Sequence, residues 1–161
     1  MRKCTSILNN SYRFESPEVI YCKEKIVEVS NDWIKLLTKH ASLSPRKTCR
    51  LCLHSSKNST LHQMVILHNK ITHVPIHKHL HSEEIINVFS GSAIIKFYDN
   101  NGVVSKTIKL SQDNCLTVKI PKNVFHSLIV KSDWFLFQEI IKGPFKPKNT
   151  KLASWEKGNS I

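Results

Sequence analysis

From Thr48 onward the chain never sustains apolar residues at helical spacing; it breaks into short runs in which apolar and polar side chains alternate. These runs cover 48–54, 62–68, 71–79, 84–89, 92–98, 103–109, 115–120, 126–130 and 134–141, with polar turns such as "FSGS", "YDNNGV" and "LSQDN" between them. Successive side chains of a strand point to opposite faces, so a period of two predicts nine strands in an antiparallel sandwich or barrel. "DNNG" is the clearest hairpin signal, because Asn101 and Gly102 tolerate positive φ.

Upstream the pattern differs. Residues 1–16 are polar and aperiodic and predict a flexible arm. "EVIYCKEKIVEVS" holds two β-branched runs around a lysine-rich break and predicts a strand pair. Ser30 or Asn31 can cap a helix whose apolar positions Trp33, Ile34, Leu36, Leu37 and Ala41 recur at helical spacing, and Pro45 should end it. Past the last strand, "KGPFKPKNTKLASWEKGNSI" is rich in proline and lysine and predicts a surface tail, with Phe145 and Trp155 as its anchors. The expected organisation is an arm over 1–16, a strand pair and helix over 17–47, a β-barrel over 48–142, and a tail packed on the barrel over 143–161. At 161 residues this is one domain.

Composition narrows the function. No apolar run reaches the length of a membrane span, and "MRKCTSILNNSYRF" lacks the apolar stretch of a signal peptide, so the expected compartment is the cytoplasm. Five cysteines at irregular spacing do not form a disulfide framework, and the single C-x-x-C, Cys49 to Cys52, is half a zinc site at best. The net charge of +12 invites nucleic acid. Yet lysines scattered along the chain carry most of that charge, and the four arginines, Arg2, Arg13, Arg46 and Arg50, form no cluster with aromatic platforms. A solvated lysine surface is the better reading. It still favours an anionic small molecule over nucleic acid as partner.

The chemistry concentrates in "IHKHLHSEEIINVFSG", Ile76 to Gly91. If 71–79 is a strand, His73, His77 and His79 share a face, and adjacent imidazoles at 77 and 79 can hold one metal. Glu84, opening the next strand, can close on the same point, while Glu83 faces away. His81 belongs to the solvated turn. His126, after the proline turn of "IPKNVFH", is a candidate for a further ligand, which spacing alone leaves open. His54 shares a strand face with Arg50, and Glu139 follows Phe135 and Phe137 on one face of the last strand. If that face is interior, Glu139 is an acidic group near the metal and a candidate base.

These residues resemble a known family. "HKHLHSEEIINVFSG" is similar to the first cupin motif through His77, His79, Glu84 and Gly91, and "PKNVFH" is similar to part of the second through Pro121 and His126. The resemblance is closer to WbuC-type cupin fold metalloproteins, extending to "SPRKTCRLCLH", "HQMVILH", "FYDNNGVV" and the ending "GPFKP…ASW", over roughly residues 17–156. The departures are Ile71 for the glycine that usually starts the first motif, and Cys115, Asn123 and Val130 for the second motif's two glycines and asparagine.

The resemblance implies an all-β, cupin-type jelly-roll barrel with one N-terminal helix. It also implies one divalent metal held by His77, His79, Glu84 and His126, with His54, His73 and Arg50 around the pocket. Three imidazoles and a carboxylate suit iron, manganese, zinc or nickel alike. WbuC-type proteins are associated with bacterial surface polysaccharide, or O-antigen, biosynthesis. That association points to an isomerase- or epimerase-like enzyme on a sugar or nucleotide sugar, with Arg46 and Arg50 available to neutralise a phosphate. The alternatives are an iron-dependent dioxygenase and a non-catalytic binding module. Pairing through a sheet edge predicts a homodimer.

Overall fold

A computed structural model describes residues 11–156. Twelve strands and one α-helix follow in chain order. The first part holds β1 Tyr12–Ser16, β2 Val19–Cys22, α1 Asn31–Leu43, β3 Thr48–Cys52 and β4 Leu61–Asn69. The central part holds β5 His77–His79, β6 Glu84–Ser90, β7 Ser92–Tyr98 and β8 Val104–Ser111. The last part holds β9 Thr117–Ile120, β10 Phe125–Val130, β11 Trp134–Lys142 and β12 Thr150–Leu152. They form a seven-stranded sheet ordered β1-β2-β3-β4-β11-β6-β9 and a five-stranded sheet ordered β12-β5-β10-β7-β8. The two sheets make a jelly-roll sandwich around one main core.

Alternation places the core. In the larger sheet the register sets Arg50, Ile66, Phe137 and Val88 in one inward row and Cys52, Met64, Glu139, Ile86 and Val118 in the next. A third row runs His62, Ile141, Glu84 and Ile120. Across from them, Ile95, Leu110 and Leu128 close the core, and Phe135 is fully buried at its centre. The outward faces of β3 and β4 are also apolar. Trp33, Leu37 and Ala41 of α1 cover Cys49, Leu51, Val65 and Leu67 there, which is why "MVIL" is a continuous apolar run rather than an alternating one. The helix starts at Ser30, whose carbonyl accepts from the Trp33 and Ile34 amides, and it stops where Ser44 turns extended before Pro45.

Two backbone positions set the turns around the site. Gly91, at φ +80°, links β6 to β7 as the chain passes from one sheet to the other; a Cβ there would run into the Trp134 carbonyl. Asn123, at φ +65°, takes the left-handed conformation at a place where the second cupin motif has glycine, and its amide donates to the His79 carbonyl at 2.8 Å. The asparagine thus does the glycine's conformational work. In the "DNNG" hairpin only Gly102 has positive φ, because the Asp99 side chain accepts from the Asn101 and Val103 amides and holds the loop.

The structure corrects several sequence expectations. Tyr12–Ser16 is not an arm but a strand paired with Val19–Cys22, and the first ten residues of the expected arm lie outside the described residues. The second half of the expected strand pair, around Ile26, forms no strand; its lysines and glutamates leave Ile26 exposed. Of 71–79 only His77–His79 is strand, since Thr72 closes a turn on Asn69 and Pro75 follows. The tail adds an unforeseen strand, β12, beside β5. Trp155 packs edge-on against Phe125 at 4.7 Å, but the Phe145 ring stays 55% exposed at the cavity. Cys49 and Cys52 point to opposite faces of β3, one toward the helix and one into the core, so they form neither a disulfide nor half a zinc site. Burial pushes their thiols up to about 11 and about 12. No helix among the described residues is long and apolar enough to cross a membrane.

Candidate metal centre

Four side chains converge between the sheets. β5 and β10 pair with His77 directly opposite His126, and β5 alternation turns His79 to the same side. β6, from the other sheet, brings Glu84 in from the facing wall. One ligand atom from each of the four lies within 4.8 Å of all the others. Glu84 Oε2 is 3.1 Å from His126 Nε2 and 3.2 Å from His79 Nε2.

The protonation pattern decides what the cluster can hold. His77 Nδ1 is 2.8 Å from the Pro75 carbonyl and His126 Nδ1 is 2.9 Å from the Val124 carbonyl, so each Nδ1–H donates to the backbone two residues earlier. His79 Nδ1 lies 3.3 Å from the Thr150 hydroxyl of β12. In the neutral imidazoles of His77 and His126 the free lone pair is therefore on Nε2. The Nε2 of His126 and the Oε2 of Glu84 are both buried without a hydrogen-bond partner among the described residues. Lone pairs facing lone pairs in a dry site repel unless a cation sits between them. The donor set fits a divalent metal.

Electrostatics agrees. Burial first, then His126 beside it, lowers His77 to about 4, so it is neutral and able to ligate near pH 7. Burial works against the Glu84 carboxylate, but His126 and His79 outweigh it and hold Glu84 below the usual carboxylate range. Burial also opposes protonation of His126, and the Glu84 carboxylate reverses that and raises it. Where no cation is bound, a proton on His126 faces the Glu84 carboxylate in its place.

A cavity of about 440 Å³ opens onto this cluster. His77 and His79 form part of its wall, and Glu84 and His126 lie behind them. Glu139 also lines it, on the inward row next to Ile86, two residues from Glu84 along β6. Burial, and then the Glu84 charge, push the Glu139 carboxyl up to about 7, with the Arg50 guanidinium pulling the other way. Arg50 and His54 line the cavity too. His73 reaches only its rim, because the strand expected to carry it is a turn; its ring is 3.5 Å from Glu156. His81 is exposed, and Glu83 turns outward to Lys119.

Two histidines in the cavity wall escaped the sequence reading. His62 is buried and stacks on His54 at 4.0 Å, and His68 is buried with Nδ1 2.7 Å from the Thr48 hydroxyl. Both sit at inward positions of β4, in phase with Met64 and Ile66, so the period of two carried the signal. Burial, then Arg50, lowers His68 to about 3. The unfolded chain takes up that proton near pH 6.5, so between pH 6.5 and 3 it binds one more proton than the fold does. Stability should therefore fall as pH drops through this window, by up to ~1.4 kcal/mol per pH unit from this residue alone. Urea unfolding of His68→Gln between pH 6 and 4 should show a shallower loss than the wild type; equal slopes would contradict the assignment.

Residues 29–110 match the family model described as "Domain of unknown function (DUF6016)", a span that includes His77, His79 and Glu84. Comparison with curated proteins gives no match. Among solved structures, protein SO0799 from Shewanella oneidensis superposes with a TM-score of 0.59 at 15% identity, over 78% of this chain and 85% of that one. The capsular polysaccharide assembling protein CapF from Staphylococcus aureus gives 0.52 at 19% identity, over 65% of this chain and 31% of that one. A structure from work on the DMSP lyases RdDddP and RnDddQII gives 0.51 at 18% identity, over 66% and 52%. This chain thus spans under a third of CapF and about half of the lyase structure. The shared feature is the cupin jelly-roll fold.

Proposed function

The chain belongs to the DUF6016 family, and we propose that it is a mononuclear divalent-metal protein catalysing a proton-transfer reaction, isomerase- or epimerase-like, on a sugar or nucleotide sugar. The observation that carries this reading is the cluster of three imidazoles and one carboxylate, with one ligand atom from each within 4.8 Å of the others, opening onto a cavity that Glu139 also lines. The WbuC resemblance supports a place in bacterial surface polysaccharide assembly, and CapF, with the same fold, carries a capsular polysaccharide role in its name.

His77, His79, Glu84 and His126 would hold the metal, which supplies Lewis acidity toward a carbonyl or diol oxygen. Glu139 does the proton work. Burial raises its carboxyl above the usual carboxylate range, which strengthens it as a base that can take a proton from carbon and return it. Tyr21, Met64 and Ile66 give the cavity an apolar wall that limits water around that step.

Solvent-deuterium exchange into a panel of nucleotide sugars, followed by NMR, tests the reading. The wild type should exchange a ring proton, faster at pH 8 than at pH 6 as Glu139 ionises. Glu139→Gln should retain one equivalent of metal and lose exchange by ~10²–10⁴-fold. A metal-loaded wild type that exchanges nothing supports the binding module instead, and oxygen consumption by the ferrous protein supports the dioxygenase.

A further inference from the structure

The cavity holds a cation that the metal site does not use. Arg46, near its edge, is committed: its Nε donates to Glu18 at 2.8 Å and a second nitrogen contacts the same carboxylate. Arg50 is different. It lines the cavity from the inward face of β3, half-buried, and its guanidinium makes no hydrogen bond or ion pair among the described residues. Its reach is nonetheless felt, since its charge pulls on both Glu139 and His68.

An unpaired guanidinium in a partly desolvated wall forgoes hydration without a partner, and its planar fork matches an oxyanion bidentately. The register fixes where it stands. Arg50, Ile66 and Phe137 form one row, and Glu139 is one row further along β11, so Arg50 and Glu139 are two strands apart, about 10 Å across the sheet. The floor between them is Ile66 and Met64. The remaining charges at the cavity are Lys57, Lys142 and Lys146, all exposed, and Glu15, which is paired with Arg13 at 2.8 Å. The entrance is net positive, and among the described residues the one unpaired cation inside is Arg50.

We propose that Arg50 is the anion anchor of this cavity, binding the phosphate or carboxylate of a small polyhydroxy ligand whose hydroxyl or carbonyl oxygens lie at the His77/His79 end. The second half of this statement rests on the proposed metal centre; the first does not. A volume of about 440 Å³ accommodates a ligand of sugar-phosphate size.

Calorimetric titration of the zinc-reconstituted protein in 150 mM NaCl tests it, with glycerol 3-phosphate, glycerate, glycerol and inorganic phosphate as probes. Glycerol 3-phosphate or glycerate should bind measurably more tightly than glycerol, and whichever binds more tightly identifies the anion. Arg50→Gln should weaken that binding at least tenfold with an unchanged melting temperature, because no internal partner is lost. Arg50→Lys, which keeps the charge without the fork, should fall between and covers the case in which the glutamine variant does not fold. Inorganic phosphate engages only the Arg50 end and should bind Glu84→Gln as it binds the wild type. Retention of a full equivalent of metal by Glu84→Gln, with phosphate binding intact, would therefore sink the metal centre and leave Arg50 standing. Failure of both charged probes and of phosphate to bind the wild type, or equal binding by Arg50→Gln, overturns the proposal.

Discussion

Glu84→Gln should purify without its equivalent of metal. The carboxylate is the only anionic member of the cluster, and its Oε2 lies 3.1–3.2 Å from two of the three imidazoles. Loss of a mere supporting partner around a metal typically costs 10–100-fold in affinity, and a direct ligand costs more, so a drop of over ~100-fold is expected. The metal-free variant should still fold, losing only the contacts of the Glu84 carboxylate to His79 and His126, and its melting temperature shows whether it does. Metal content by plasma emission and thermal unfolding of the metal-free proteins give the two readouts. A variant that keeps a full equivalent contradicts the ligand set; one that merely unfolds is separated from that case by the melting curve.

The largest stability effect should come from Phe135→Ala. Phe135 is fully buried between the sheets and stacks on Phe137 at 5.0 Å, and β11 binds both β4 and β6. Truncating such a ring costs ~3–5 kcal/mol through lost burial and the cavity left behind. At roughly 2–4 °C per kcal/mol for a chain of this size, the melting temperature should drop by about 10 °C. A loss below about 1 kcal/mol would mean that the core is not centred on β11. Because Glu139 shares the strand, a partly loosened β11 should also weaken the cavity wall while leaving β5 and β10 in place.

Particular residues explain how far the sequence could be read. Period-two alternation located the strands from Thr48 to Lys142 because most of them have one face in the core, and it put Glu139 on the same face as Phe135 and Phe137, which is the inward one. It failed at Ile71–Ile76, where alternation continues by accident through a turn held by Asn69 and Thr72, so the strand is shorter than expected, although His73 still lines the cavity. It also missed β12, three residues whose strand character comes from pairing with β5 rather than from their own side chains. The cluster's sequence-local members, His77, His79 and Glu84, were legible from spacing. His126 was not, because its place depends on β10 lying beside β5 in a pairing across 49 residues of chain. Nor could spacing reveal that Pro75 and Val124 carbonyls fix the tautomers of two ligands, or that Arg50 lacks a partner while Arg46 has one.

The most direct test of the metal centre is the X-ray absorption spectrum of the protein reconstituted with one equivalent of zinc. His77, His79, His126 and Glu84 predict a shell of nitrogen and oxygen at about 2.0–2.1 Å with multiple scattering from three imidazoles and no sulfur. Sulfur scattering at about 2.3 Å, or scattering from a single imidazole, would place the metal elsewhere and contradict the account.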